Sequence, residues 1–185
     1  MPRSKAQGFT LIELMIVVCI VAILASLATY AVRRYLDAAK TSEAIELINS
    51  ARAAQETYKD ETFRYLNISA DLTTNNSFHP AAPGVGKRSW VPAAATPLST
   101  GWTELGVNAT GPVQFGYACV SGLTGVGPPA LGLLDAVPAD LNFPTAPTGP
   151  WYVIKAIGDR DGNNVRAALV GSSFTNEIYS ERETE

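Results

Sequence analysis

One carboxylate inside an apolar run of membrane length constrains this chain more than any other feature. The stretch Gly8-Phe9-Thr10-Leu11-Ile12-Glu13 leads straight into Leu14 to Val32, and Glu13 is the only charged side chain in it. Leu14 to Val32 is close to the roughly 20 residues that cross a bilayer. An acidic side chain at membrane depth costs about 2.5 to 3.5 kcal/mol on insertion scales, so a Glu here needs a partner and a purpose. On a helix the place to look is Phe9, one turn back. Arg3 and Lys5 precede the segment and Arg33-Arg34 close it. With basic residues on both flanks, the positive-inside rule orients the span only weakly.

Gly8 to Val18, read GFTLIELMIVV, resembles the class III signal of type IV prepilins. The resemblance implies that a prepilin peptidase and N-methyltransferase cuts after Gly8 and methylates Phe9. Residues 1–8 are then a leader peptide, and Glu13 becomes the fifth residue of the mature protein. The positive end of the helix dipole favours a carboxylate there, and the chain's own terminal amine could satisfy it. In the family the corresponding Glu pairs instead with the amine of a neighbouring subunit during filament assembly. The partners so implied are copies of itself and other pilins, bound through the N-terminal helix, and an inner-membrane assembly platform. The implied location is the bacterial inner membrane as a single-pass protein, then an extracellular or periplasmic filament. Ala22 and Tyr30 depart from the Gly and Pro of many major pilins, which go with a stretch that unwinds in the filament, and this leans toward a minor subunit. An ordinary secretory signal cut near Ser26-Leu27-Ala28 would leave Glu13 unexplained. A plain membrane anchor is true as far as it goes, and incomplete.

Beyond the transmembrane and filament-core segment 9–32, residues 33–66 read as an amphipathic continuation of the same helix. Ala44, Leu47, Ile48, Ala51, Ala54 and Tyr58 recur at steps of three and four, and no Gly or Pro interrupts Phe9 to Leu66. The expected fold is α+β, a pilin-like ladle with the long helix packed on a small antiparallel sheet. Residues 67–112 read as an irregular connection pinned by Trp90 and Trp102 packing on the sheet. Residues 113–185 read as the sheet, with strands near Val113–Cys119, Trp151–Ile157 and Val165–Val170 and an edge near Thr175–Ser180. Between the first two, Gly122 to Pro150 reads as a surface insertion.

Little in the sequence points to chemistry. Asp159, Asp161 and Asn163 resemble the opening of a calcium loop, but Asn164 stands at the sixth position and Val170 at the twelfth, where such loops carry Gly and Glu. A plain hairpin turn is the preferred reading. Cys19 lies in the span and Cys119 in the exported part, so they cannot bridge within one subunit. Buried, reduced Cys119 is expected, with an intersubunit bridge as the alternative. His79 is a lone loop histidine expected to be solvated. Gly84 to Ser89 is a near miss to a phosphate loop, because Ala81 and Arg88 replace its first Gly and its Ser or Thr. No catalytic residue, metal or cofactor is expected. Of fourteen Lys and Arg, two lie in the leader, against seventeen Asp and Glu. A net acidic remainder argues against nucleic-acid binding. The expected function is therefore a structural pilus subunit supporting motility or adhesion, not an enzyme. The alternatives are a pseudopilin of a type II secretion system, or a DNA-uptake minor pilin.

Overall fold

The computed structural model describes residues 8–81, 84, 86–91, 95–132, 141, 143–160 and 162–181. The expected leader, apart from Gly8, and the candidate calcium ligand Asp161 lie outside them. The chain divides into two compact units, one ending at Ala38 and the other beginning at Ala39. A single helix, α1 (Leu11–Thr62), starts in the first and ends in the second.

Within the first unit every described residue up to Leu36 is exposed. Even Ile20 keeps 51% of its surface open. Such a segment is long and apolar enough to cross a membrane. Its two hydroxyls turn back on the helix: Ser26 Oγ donates to the Ile23 carbonyl at 2.7 Å and Thr29 Oγ1 to that of Ala25 at 2.9 Å. Both polar groups are thereby satisfied without water, as a lipid environment demands.

In the second unit the amphipathic half of α1 buries Ala44, Leu47, Ile48 and Ala51 of the stripe read from the sequence, with Ala54 and Tyr58 half-buried, together with Thr41 and Gln55. It packs on a four-stranded antiparallel meander in the order β1 (Gly116–Gly122), β2 (Trp151–Gly158), β3 (Ala167–Ser172), β4 (Tyr179–Glu181). Gly171 makes the contact close. A Cβ there would stand 2.7 Å from Ile48 Cγ2, inside van der Waals contact, so only Gly lets the helix sit at this depth. Trp102, Phe115, Tyr117, Cys119, Tyr152 and Leu169 complete the core on the helix side. These elements form the expected α+β fold.

Five details differ from the sequence reading. The helix ends at Thr62, not Leu66: Phe63 takes a left-handed φ of 60°. Gln55 accounts for the turn-back. Its amide donates to the Leu66 carbonyl at 2.8 Å, and its oxygen accepts from the Leu66 N–H at 2.9 Å. The connection 67–112 is not wholly irregular. It carries a 3-10 turn (Asn75–Ser77) and a helix, α2 (Pro97–Glu104). Thr96 and Ser99 cap α2 reciprocally and Pro97 opens it, at the position where a missing N–H costs a helix nothing. β1 begins at Gly116, opposite Ile157 near the end of β2, and Val113 pairs instead with Arg88 outside the sheet, at 2.8 Å for each bond. β4 begins at Tyr179 because Arg52 claims the carbonyls of Thr175 and Asn176.

The fifth correction concerns Gly122 to Pro150. Leu131 and Leu141 from this stretch are buried against Leu72, Phe78, Val153, Ile157 and Val170 on the sheet face away from α1. Lys155, on the same face, is fully buried and donates to the carbonyls of Leu72, Leu131 and Gly132. The three acceptors match the three ammonium protons. Burial still pushes the Lys155 ammonium down to about 8, with Glu181 opposing the shift. Leu131 and Leu141 thus cover part of the sheet, while Leu123 to Val126 of the same stretch stay at the surface.

Candidate functional site

The first helical residue of α1 is Leu11, and Gly8 to Thr10 precede it without regular structure. Thr10 and Glu13 close the helix start as a capping box, the T-x-x-E pattern in which the two residues serve each other's backbone donors. Glu13 Oε2 accepts from the Thr10 N–H at 2.9 Å and from Thr10 Oγ1 at 2.7 Å. Thr10 Oγ1 in turn stands 3.3 Å from the Glu13 nitrogen. In the full-length chain Glu13 is held by Thr10; the Phe9 amine, the partner the sequence suggests, would exist only after a cut at Gly8. The spacing that would have revealed the Thr10 contact, Thr followed three residues later by Glu, was present in the sequence.

The geometry has a chemical consequence. Both side-chain bonds fall on Oε2 and use groups of Thr10 that any cut between Gly8 and Phe9 leaves intact. A capped carboxylate and a newly made amine at Phe9 could then coexist one turn apart. Phe9 is 86% exposed, and among the described residues nothing lies within 4 Å of a Cβ placed on Gly8. The bond between them is thus in an open, non-helical segment, the form a peptidase can bind extended.

The remaining candidates are placed as follows. Asp159 is buried, and its carboxylate accepts from the backbone N–H groups of Gly162 at 2.8 Å and Asn164 at 3.1 Å. Asn163 Oδ1 accepts from the Val165 N–H at 2.7 Å. Both side chains shape the β2–β3 turn, with Gly162 and Asn164 at positive φ. Among the described residues no group of three or more His, Cys, Asp or Glu could hold a metal ion.

His79 is buried rather than solvated. Its Nε2 lies 2.7 Å from the Trp90 carbonyl, and the ring meets Trp90 edge-on at 4.8 Å. Burial lowers its pKa, against the opposing pull of that carbonyl. Trp90 also meets Trp102 and Tyr117, so the two tryptophans pin the connection to the core as expected. Lys87 of the near-miss phosphate loop pairs with Glu43 at 2.9 Å. Glu43 also accepts from the Gln114 N–H, tying this loop to α1. Cys119 is buried, as expected, with Gln55 Nε2 at 3.1 Å from its sulfur. Burial pushes the thiol up to about 12, which leaves it inert as a nucleophile.

The Prokaryotic N-terminal methylation motif matches residues 3–29. The chain is 43% identical over 81 residues to the type IV major pilin protein PilE1 of Neisseria gonorrhoeae, covering 44% of this chain and 46% of that one. It is 43% identical over 72 residues to the type II secretion system core protein G of Pseudomonas aeruginosa, covering 39% of this chain and 51% of that one. A fimbrial protein of Neisseria meningitidis serogroup A is 50% identical over 75 residues, covering 40% and 41%. The aligned parts thus span about half of these relatives or less. No solved structure matches the chain.

Proposed function

We propose that this chain is a structural subunit of a type IV pilus-like filament. A prepilin peptidase releases it from its leader, and its exposed apolar helix packs it against copies of itself and other pilins. The observation that carries the reading is the pairing of two features. One is a methylation motif over residues 3–29, and the other is an apolar helix whose side chains are open to solvent along its whole first half. Such a helix needs lipid or other helices, and moving it from one to the other changes its apolar surroundings little. Glu13 is the group whose environment changes most. Held by Thr10 in the isolated subunit, it meets the amine of a neighbouring Phe9 on assembly, which neutralises two charges in an apolar filament core. The peptidase, the assembly platform and the inner-membrane location belong to this reading, as do roles in motility or adhesion and a non-enzymatic function. Gly8→Val tests its first step: the variant is expected to accumulate as full-length precursor in the membrane, and normal shortening to a Phe9 terminus would refute the assigned cut.

A second reading has its own support. The similarity to a type II secretion core protein covers about as much of the chain as the pilin similarity. In that case the subunit forms a short periplasmic filament, and the same Gly8, Phe9 and Glu13 serve it. Recovery in filaments sheared from the cell surface separates the two.

A further inference from the structure

The far end of the apolar run carries four residues that the filament reading does not use. At the helical rise, Leu11 to Val32 covers about 33 Å, against about 30 Å for a bilayer's hydrocarbon core. Arg33 and Arg34, the first charged side chains after Glu13, therefore fall at the depth of the headgroup phosphates. Tyr30, Arg33 and Arg34 stand at i, i+3 and i+4, so they share one helix face, and Tyr35 adjoins them. All four are exposed, Tyr30 at 70% and Tyr35 at 75%. Tyrosine places its ring at the boundary of lipid and water, and a guanidinium offers a planar fork that fits phosphate oxygens in pairs. Asp37 follows one turn beyond Arg33, farther out on the water side, where its charge opposes that of the headgroups least.

We propose that Arg33 and Arg34, flanked by Tyr30 and Tyr35, form a binding belt for anionic phospholipid headgroups, on the membrane face opposite Glu13. The inference rests on the reading of this chain as membrane-held before assembly. It gives the belt a function: the apolar helix moves between lipid and a helical bundle with little change, so headgroup contacts are what the unassembled subunit must give up. The belt fixes the depth of the span and holds back subunits that have no filament to enter.

The test uses the full-length chain in nanodiscs of phosphatidylcholine containing a minority of phosphatidylglycerol. Spin-labelled forms of the two lipids report which one contacts the protein. The expected result is an excess of phosphatidylglycerol, about fivefold per arginine and at most about thirtyfold for the pair, that weakens with added salt. Arg33→Lys with Arg34→Lys keeps only the part of this excess that charge alone supplies, below the parent's, because an ammonium lacks the fork. Arg33→Gln with Arg34→Gln lowers it to the level set by the rest of the chain. A glutamine variant that keeps the parent's preference, or a parent with none, overturns the belt. Insertion itself is read separately by co-flotation with the discs, and failure to insert in either lipid would overturn the membrane-held subunit and the belt together.

Discussion

Gly171→Ala asks how tightly α1 is seated on the sheet. The added Cβ would lie 2.7 Å from Ile48 Cγ2, with Arg52 Cδ at 3.5 Å and Ile178 Cγ1 at 3.9 Å. Only the first distance is prohibitive, and Ile48 is fully buried in the middle of the core, so it cannot swing away. Overpacking of this kind costs about 1 to 3 kcal/mol. Ile48→Ala alone removes the clashing methyl and costs about 2 to 5 kcal/mol through the cavity it leaves. In that background the new methyl of Gly171→Ala enters vacated space, so its cost should fall to near zero. The interaction energy of the cycle is then about the whole single-mutant cost of Gly171→Ala, with a sign that marks relief. Denaturant unfolding of the detergent-solubilised full chain, followed by tryptophan fluorescence, measures all four corners. Trp90, Trp102 and Trp151 are all buried and should report the unit that α1 stabilises. Additive costs for the two substitutions would refute the argument that Gly171 is required by the approach of Ile48.

Gln55→Leu keeps the volume but orphans both the N–H and the C=O of Leu66, and should destabilise the same unit by about 2 to 5 kcal/mol. A loss below about 0.5 kcal/mol in the same unfolding assay would show that Gln55 does not hold the end of α1. Asp71 accepts from the N–H groups of Thr73 and Thr74 at 2.7 Å each. These and the Thr74 hydroxyl hold its carboxyl well below its ordinary 3.8. Because the folded value is depressed, its stabilisation is complete above the unfolded value and decays as the pH falls below it. The gap in stability between the parent and Asp71→Asn should therefore shrink as the pH drops through the range below 4, and a gap independent of pH would contradict the turn geometry. Iodoacetamide should leave Cys119 unmodified until denaturant unfolds the chain, since the thiol is both buried and raised to about 12; labelling of the native protein at Cys119 itself, told apart from the exposed Cys19 by peptide mass spectrometry, would mean the sheet opens. Glu13→Ala should be processed normally yet fail to enter filaments, and filament entry equal to the parent's would remove Glu13 from assembly.

What was legible in the sequence follows from periodicity. Apolar residues at steps of three and four from Ala44 to Ala51 point to the buried face of α1, and the runs Trp151–Ile157 and Val165–Val170 point to two strands, the second of which forms two residues later, at Ala167–Ser172. Polar residues that act on distant backbone were illegible, because their partners are set only by the fold. Gln55 serves Leu66, Arg52 serves Thr175 and Asn176, and Lys155 serves Leu72, Leu131 and Gly132. Each of these bonds decides where an element ends or what covers a face, which is why the end of α1 and the burial of Leu131 and Leu141 are not visible in the sequence. Local signals were also passed over: Thr96-Pro97 with Ser99 opens α2, and Thr10 with Glu13 caps α1. At the candidate site the residue types pointed to Glu13, while its partner in the free subunit had to be seen.

The measurement closest to the central claim is mass spectrometry of filaments sheared from the cell surface, scored for this chain and for the state of its N-terminus. A filament subunit should be recovered with Phe9 as its first residue, carrying one methyl group on the amine. Absence from sheared filaments, with the methylated Phe9 form confined to the membrane fraction, would contradict the surface-pilus account and favour the secretion-system filament. A chain found in neither place with Phe9 at its terminus would contradict both.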